Sequence, residues 1–227
     1  HKGRSSAAPP ARRPRMPAPT DLKEACVEAA HQVIREQGLE QLSLREIARR
    51  LKVSHQAPYK HYPSRDHLLA EVIRRCFLRF AAHLDGRPKQ AIAHADLAEL
   101  GRAYLEFALR HPLEYRLMFG TPWPSVTEHP ELLREARHSF GLLLAAIRRL
   151  REGSGASDKA IELDALYVWT AMHGVASALS SDVLPKLELL EETLAEAVPH
   201  AMKRVSLALG VPEDVRLPTE LGGGGAP

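Results

Sequence analysis

The sequence predicts an all-α protein. Three observations carry this. Apolar residues recur at helical spacing through most of the chain, no stretch sustains a period-two alternation of β-branched residues, and Gly or Pro cuts the periodic segments into helix-sized pieces. The 227 residues are 44% hydrophobic and 26% charged, enough apolar material for a core, which excludes a wholly disordered chain. No apolar run approaches the ~18–20 residues of a membrane span. The Pro/Arg-rich start lacks the apolar centre of a secretory signal. Cys26 and Cys76, the only two cysteines, sit in helix-like apolar patterns and form no CxxC or Cys/His cluster. A disulfide scaffold and a zinc finger are therefore not expected, and a reducing, cytoplasmic setting fits.

The elements follow in order. Residues 1–19 are rich in Pro, Ala, Arg and Ser without periodicity and read as a flexible, disordered basic arm. The chain begins without Met, so a processed or truncated start is expected, and the arm is either native or a cloning remnant. From Thr20, Leu22, Cys26, Ala29, Ala30, Val33 and Ile34 fall on one helical face, and Gly38 stops the helix. Ser43 caps a short helix with Leu44, Ile47, Ala48 and Leu51 inside. After a break at Lys52-Val53, Ser54 can cap a second short segment that Pro63 ends. Ser64 caps a long helix whose inner face is Leu68, Leu69, Val72, Ile73, Cys76, Phe77 and Phe80.

Asp85-Gly86-Arg87-Pro88 marks the next break. Helices are expected near 96–110, 112–119, 130–151, 158–181 and 186–209. Pro122-Trp123-Pro124 forms a rigid loop, and Gly153-Ser154-Gly155 a linker. Pro199 should kink the last helix. The tail, 211–227, with four consecutive glycines, reads as disordered.

Charge is placed unevenly. Positions 1–20 hold five basic residues and no acid, and 43–65 hold six basic residues against one acid, whereas the residues after 67 are net acidic. Such a distribution suits a polyanion at one end of the molecule. A basic tail beside an ordinary solvated helix accounts for the same charge.

The segment Ser43 to Tyr62 is the informative one: two short pieces, each opened by a serine and joined by a tight turn, with longer helices on either side. This is a helix-turn-helix arrangement. A helix fits the DNA major groove. Ser54-His55-Gln56-Ala57-Pro58-Tyr59-Lys60-His61 has little apolar surface, so packing alone does not explain it. The alternative is a connector with solvated residues.

Residues 42–69, LSLREIARRLKVSHQAPYKHYPSRDHLL, resemble the DNA-binding domain of the tetracycline-repressor-like (TetR/AcrR) family of bacterial regulators. Ile47, Ala48, Val53, Ser54, Tyr59, His61, Leu68 and Leu69 match that pattern. Ser43 replaces its Thr, Tyr62 its Phe and Arg65 its Lys, each keeping the chemistry. Lys52 replaces the turn glycine, and a positive φ there carries strain. Downstream, Tyr104-Leu105-Glu106-Phe107-Ala108, His111 to Phe119, and Trp169-Thr170-Ala171-Met172-His173-Gly174 are similar to members with a WHG-type C-terminal domain. The resemblance spans roughly residues 20–210.

The resemblance implies a helix-turn-helix DNA-binding domain over 20–67 and a helical ligand-binding and dimerisation domain over 68–210. Ser43, Arg45 and Ser54 fall in it, with Arg45 a groove or phosphate contact. His55, Gln56 and Ala57 would form the exposed first turn of the recognition segment. There Gln pairs with adenine, His donates to guanine, and Ala approaches a thymine methyl. Tyr59, Lys60, His61 and Arg65 would contact phosphates. Pro58 is tolerated where N–H groups lack helical partners.

In the C-terminal half, Leu187, Leu190, Leu194, Ala197, Ala201 and Ala208 approximate an a/d stripe. It suits a homodimer through residues 158–209 or an intramolecular core. Tyr104, Phe107, Tyr115, Met118, Phe119, Trp123, Trp169 and His173 are the available ligand-binding linings, and equally good core residues. A packed, hydrogen-bonded His173 is expected rather than a metal or catalytic one.

The implied function is a ligand-responsive repressor binding a palindromic operator in double-stranded DNA, released by a small-molecule effector. No cofactor, metal or membrane partner is expected. An enzyme is not expected, since paired carboxylates, a Gly-rich phosphate loop and a nucleophile motif are missing. A helical protein-binding adaptor is the remaining alternative, and retention by palindromic DNA separates it.

Overall fold

The computed structural model describes residues 19–212. The arm and tail expected from the sequence lie, but for Pro19, Val211 and Pro212, outside the described residues. Among those residues every regular element is helical, so the all-α expectation holds. The chain forms two compact units, the first reaching Leu68 and the second starting at Leu69.

The first unit holds α1 (Pro19–Gln37), a 3-10 turn at Leu39–Gln41, α2 (Leu44–Leu51), a 3-10 turn at Pro58–Lys60 and the first residues of α3 (Arg65–Asp85). The face predicted for α1 is its buried face: Cys26, Ala30 and Val33 are fully buried, and Ile34 nearly so. Each fully buried Val or Ile contributes about 1.5–3 kcal/mol. Gly38 ends α1 with φ 94°, a backbone that only glycine adopts easily. Ser43 caps α2 as expected, its hydroxyl accepting the Glu46 N–H at 3.2 Å. Lys52 closes α2 in the left-handed region (φ 55°, ψ 38°), the strained backbone that its place at the turn predicts.

The second unit holds the rest of α3 with α4 (Ala93–Arg110), α5 (Pro112–Phe119), α6 (Pro130–Leu150), α7 (Asp158–Leu179) and α8 (Glu191–Ala208). α4 is central, packing against α5, α6, α7 and α8. Its Leu105, Phe107 and Ala108 are almost completely buried. α4 starts earlier than the sequence suggests. The Asp96 carboxylate accepts from Gln90 N and from the buried Arg87 guanidinium, both at 3.0 Å, which ties the preceding loop to the first helical turn.

The last helix starts later than expected. Leu184–Leu187 form a 3-10 turn around Pro185, Glu188 takes a left-handed conformation (φ 51°), and α8 begins at Glu191. Leu187 and Leu190 therefore lie outside it and are exposed. The buried face of α8 is Val198, Met202 and Val205. Leu194, Ala197 and Ala201 flank that ridge half-buried, and Ala208 is exposed.

Candidate nucleic-acid interface and ligand cavity

In the first unit, the segment after α2 is not an α-helix. Residues 55–57 are turns, and Pro58–Lys60 form a 3-10 turn. The cause is Pro58, which has no N–H to return to Ser54 and whose ring crowds the preceding turn. The Ser54 carbonyl instead accepts from Ala57 N at 3.0 Å, and the Pro58 carbonyl accepts from His61 N and Tyr62 N. Ser54, His55, Gln56, Tyr59 and Lys60 are exposed, and His61 is half-buried. His55 and Gln56 are in register: Gln56 Nε2 lies 3.0 Å from His55 Nε2.

Ala57 departs from the expectation. It is only 7% exposed, so its methyl packs inside the unit and cannot reach a base. With so little apolar surface of its own, the segment is held at its end instead. Tyr62 is buried and its hydroxyl donates to the Lys23 carbonyl on α1 at 3.3 Å.

The basic residues of this region divide into tied and free groups. Arg49 pairs with Glu46 at 2.7 Å, and Arg50 bridges Glu46 and Glu36. The Arg49 and Arg50 hydrogen bonds hold the Glu46 carboxyl at about 2, so it stays charged and offsets them. Arg65, expected on a phosphate, donates instead to the carbonyls of Leu42 and Leu39, both at 3.0 Å. It joins the start of α3 to the loop before α2. Among the described residues, Arg45, Lys52 and Lys60 form no ion pair and are exposed. With the exposed His55 and Gln56 they supply cationic and hydrogen-bonding groups, the chemistry that DNA contacts require.

The second unit holds a cavity of about 310 Å³ that is partly open to solvent, Leu166 on its wall being exposed. α3 contributes Phe77, Phe80 and Leu84, α4 contributes Leu97, Leu100, Gly101 and Tyr104, and α5 contributes Phe119. Ala136, Ser139, Phe140 and Leu143 come from α6, and Leu166, Val168, Trp169 and Met172 from α7. Of the linings expected from sequence, Tyr104, Phe119 and Trp169 are on this wall. Phe107 packs behind it, its ring 5.1 Å from that of Phe80. Met118 is buried, and its carbonyl accepts from Trp123 Nε1 at 2.9 Å. The Trp123 ring sits edge-on to Phe77 at 5.3 Å. The α3 and α6 contributions escaped the sequence reading. By spacing, Phe77 and Phe80 read only as core, and nothing in α6 beyond Phe140 marks a wall.

Tyr115 and His173 sit one layer out. Tyr104 and Tyr115 hydroxyls are 2.7 Å apart, and the Tyr115 hydroxyl is 2.6 Å from His173 Nδ1. Ser177 Oγ is 3.4 Å from His173 Nε2. Burial raises the Tyr104 hydroxyl far above the usual tyrosine value and Tyr115 to about 12, while it lowers His173. These three hydrogen-bonded side chains therefore favour their neutral forms near pH 7. His173 is packed and hydrogen-bonded, stacked on Tyr115 with ring centroids 5.6 Å apart. Cys26 and Cys76 are buried free thiols, with Cys76 pushed up to about 12 by burial first and the Glu114 charge second. Among the described residues, no three metal-ligating side chains converge, and no helix is long and apolar enough to cross a membrane.

Comparison with known proteins agrees with this geometry. Residues 27–72 match the model for bacterial regulatory proteins of the tetR family. Residues 97–202 match the tetracyclin repressor-like C-terminal domain. An HTH-type transcriptional regulator of Mycobacterium tuberculosis is 28% identical over 120 residues, 52% of this chain and 51% of that protein. A counterpart in Mycobacterium bovis aligns equally. The chain thus spans about half the length of the curated relatives it matches. Among solved structures, the regulatory-protein assignment SCO4313 superimposes with TM-score 0.67 at 26% identity, covering 85% of this chain and 98% of that one. A tetR-family assignment from Shewanella sp. PV-4 shares the fold with TM-score 0.59 at 22% identity, covering 83% and 95%. These relatives are transcriptional regulators, not enzymes. Two family models in chain order, one on the helix-turn-helix unit and one on the helical unit with the cavity, establish that the chain belongs to the tetracycline-repressor-like family of DNA-binding transcriptional regulators.

Proposed function

We propose that the chain is a cytoplasmic, ligand-responsive repressor. It binds a palindromic operator as a homodimer through residues 158–209 and leaves DNA when a small molecule enters the second unit's cavity. The first unit is the DNA-binding domain, with His55 and Gln56 reading base edges and Arg45, Tyr59, Lys60 and His61 contacting the groove or phosphates.

The observation that carries this reading is on α7. Leu163, Leu166 and Tyr167 are 56%, 47% and 45% exposed, an apolar stripe that a second copy would cover. Leu166 also lines the cavity, so one residue serves the dimer face and the ligand site. A ligand that prefers one arrangement of this face shifts the dimer between states. Half-sites must be matched at about 34–36 Å or a multiple, so a modest change in spacing releases DNA.

The test compares specific and random DNA fragments by retardation at fixed salt. Gln56→Ala should cost about 1–3 kcal/mol on the specific fragment and little on random DNA. Lys60→Ala should weaken both and lower the salt slope by about one. Equal losses on both fragments for Gln56→Ala remove it as a base reader. In solution the protein should have about twice its chain mass, and a monomer at micromolar concentration overturns the dimer.

A further inference from the structure

We propose that the cavity of the second unit takes an uncharged, largely hydrocarbon molecule, with room for aromatic rings, and excludes organic ions of the same shape. This rests on the reading of that cavity as the effector site and adds the chemical class of the effector.

Charge carries the first part. Among the described residues that line the cavity, none is ionised at neutral pH, so a bound ion would have no counter-charge. Burying an unpaired charge in such surroundings costs several kcal/mol.

Hydrogen bonding carries the second part. Among the lining residues only Tyr104, Ser139 and Trp169 carry side-chain N–H or O–H groups, and the two hydroxyls are already engaged within the protein. Ser139 donates to the Glu135 carbonyl at 3.0 Å. The Tyr104 hydroxyl is paired with Tyr115 at 2.7 Å. A ligand therefore meets at most the Trp169 N–H as a polar group to satisfy. A strongly polar ligand would have to break one of these bonds or leave its own group unpaired. Walls this apolar favour hydrocarbon over water.

Size carries the third. At about 310 Å³ the cavity falls at the lower end of the ~300–1,000 Å³ range of small-molecule pockets, which suits a small ligand. The wall also has a place where space is kept at a cost. Gly101 stands inside α4, where glycine is unfavourable by about 1 kcal/mol relative to alanine. A Cβ there would meet Met172 Sδ, another wall atom, at 3.7 Å.

Four probes of one shape test the proposal: naphthalene, 2-naphthol, 2-naphthoate and 2-naphthylmethylammonium. Their binding to the full chain is measured at pH 7 by titration calorimetry or probe fluorescence, without DNA. The two neutral probes should bind, and both ions should bind at least about tenfold more weakly. Gly101→Phe and Ala136→Phe each add a ring at a different wall and should each weaken naphthalene at least about tenfold. Circular dichroism checks their fold, and either folded variant suffices. An ion that binds as tightly as naphthalene overturns the proposal, as does failure of all four probes to bind. Equal affinity in a folded wall variant overturns the assignment to this cavity. DNA release is measured separately. Neutral selectivity without DNA release would sink the effector reading and leave the cavity's chemistry standing.

Discussion

Replacing Gly101 with alanine should stabilise the protein, although the residue faces a cavity in the heart of the second unit. Gly101 lies within α4, so alanine gains helix propensity and restricts the unfolded chain. Sterically, the added Cβ meets no heavy atom closer than Met172 Sδ at 3.7 Å, an ordinary van der Waals contact, so no overpacking cost is expected. The net gain is about 0.5–1 kcal/mol. For a protein of this size each kcal/mol raises Tm by about 2–4 °C, so the melting temperature should rise by about 1–4 °C. Thermal unfolding followed by circular dichroism, without ligand, reads the change. Urea unfolding with an unchanged m-value confirms that it lies in stability. A loss of 1 kcal/mol or more would refute the reasoning, because it would mean that the space beside Met172 is not there.

Three further outcomes follow from single residues. Lys52→Gly should stabilise the first unit by about 0.5–1 kcal/mol in urea, since φ 55° strains a residue with a Cβ; a loss would place the strain elsewhere. Arg65→Ala should destabilise by about 1–2 kcal/mol by removing two bonds to the Leu39 and Leu42 carbonyls, while unchanged stability would return Arg65 to the surface cations. His173 has a folded-state pKa held below its usual 6.5 by burial. Its contribution is therefore present above pH 6.5 and lost as pH falls through the lowered value. Melting curves of His173→Gln should accordingly lose less stability than wild type between neutral and mildly acidic pH, and parallel losses would contradict this.

What the sequence revealed and what it hid divide along physical lines. Local signals were legible: the α1 face, the stop at Gly38, the Ser43 cap, and strain at Lys52, each set by one residue and its near neighbours. Pro58 is compatible with a first helical turn, yet it converts the recognition segment to turns and a 3-10 turn, because its missing N–H falls where a longer helix would need it. The ties of Arg65 run to carbonyls 23 and 26 positions away in the chain, which periodicity does not report. The cavity was half visible. Tyr104, Phe119 and Trp169 stood out as aromatics, but Phe77, Phe140 and Leu143 become a wall only when α3, α6 and α7 pack around α4. The start of α8 was misplaced because the apolar spacing of Leu187 and Leu190 continues through a break made by Pro185 and the left-handed Glu188.

Selection of bound sites from random double-stranded DNA tests the central claim most directly. A dimer presenting two copies of the His55–Gln56 surface should enrich an inverted repeat, its half-sites separated by about one helical turn or a multiple. Gln56→Ala should relax the preference at one position in each half-site. Recovery of no enriched sequence, or of a single asymmetric site with no repeat, would contradict the account.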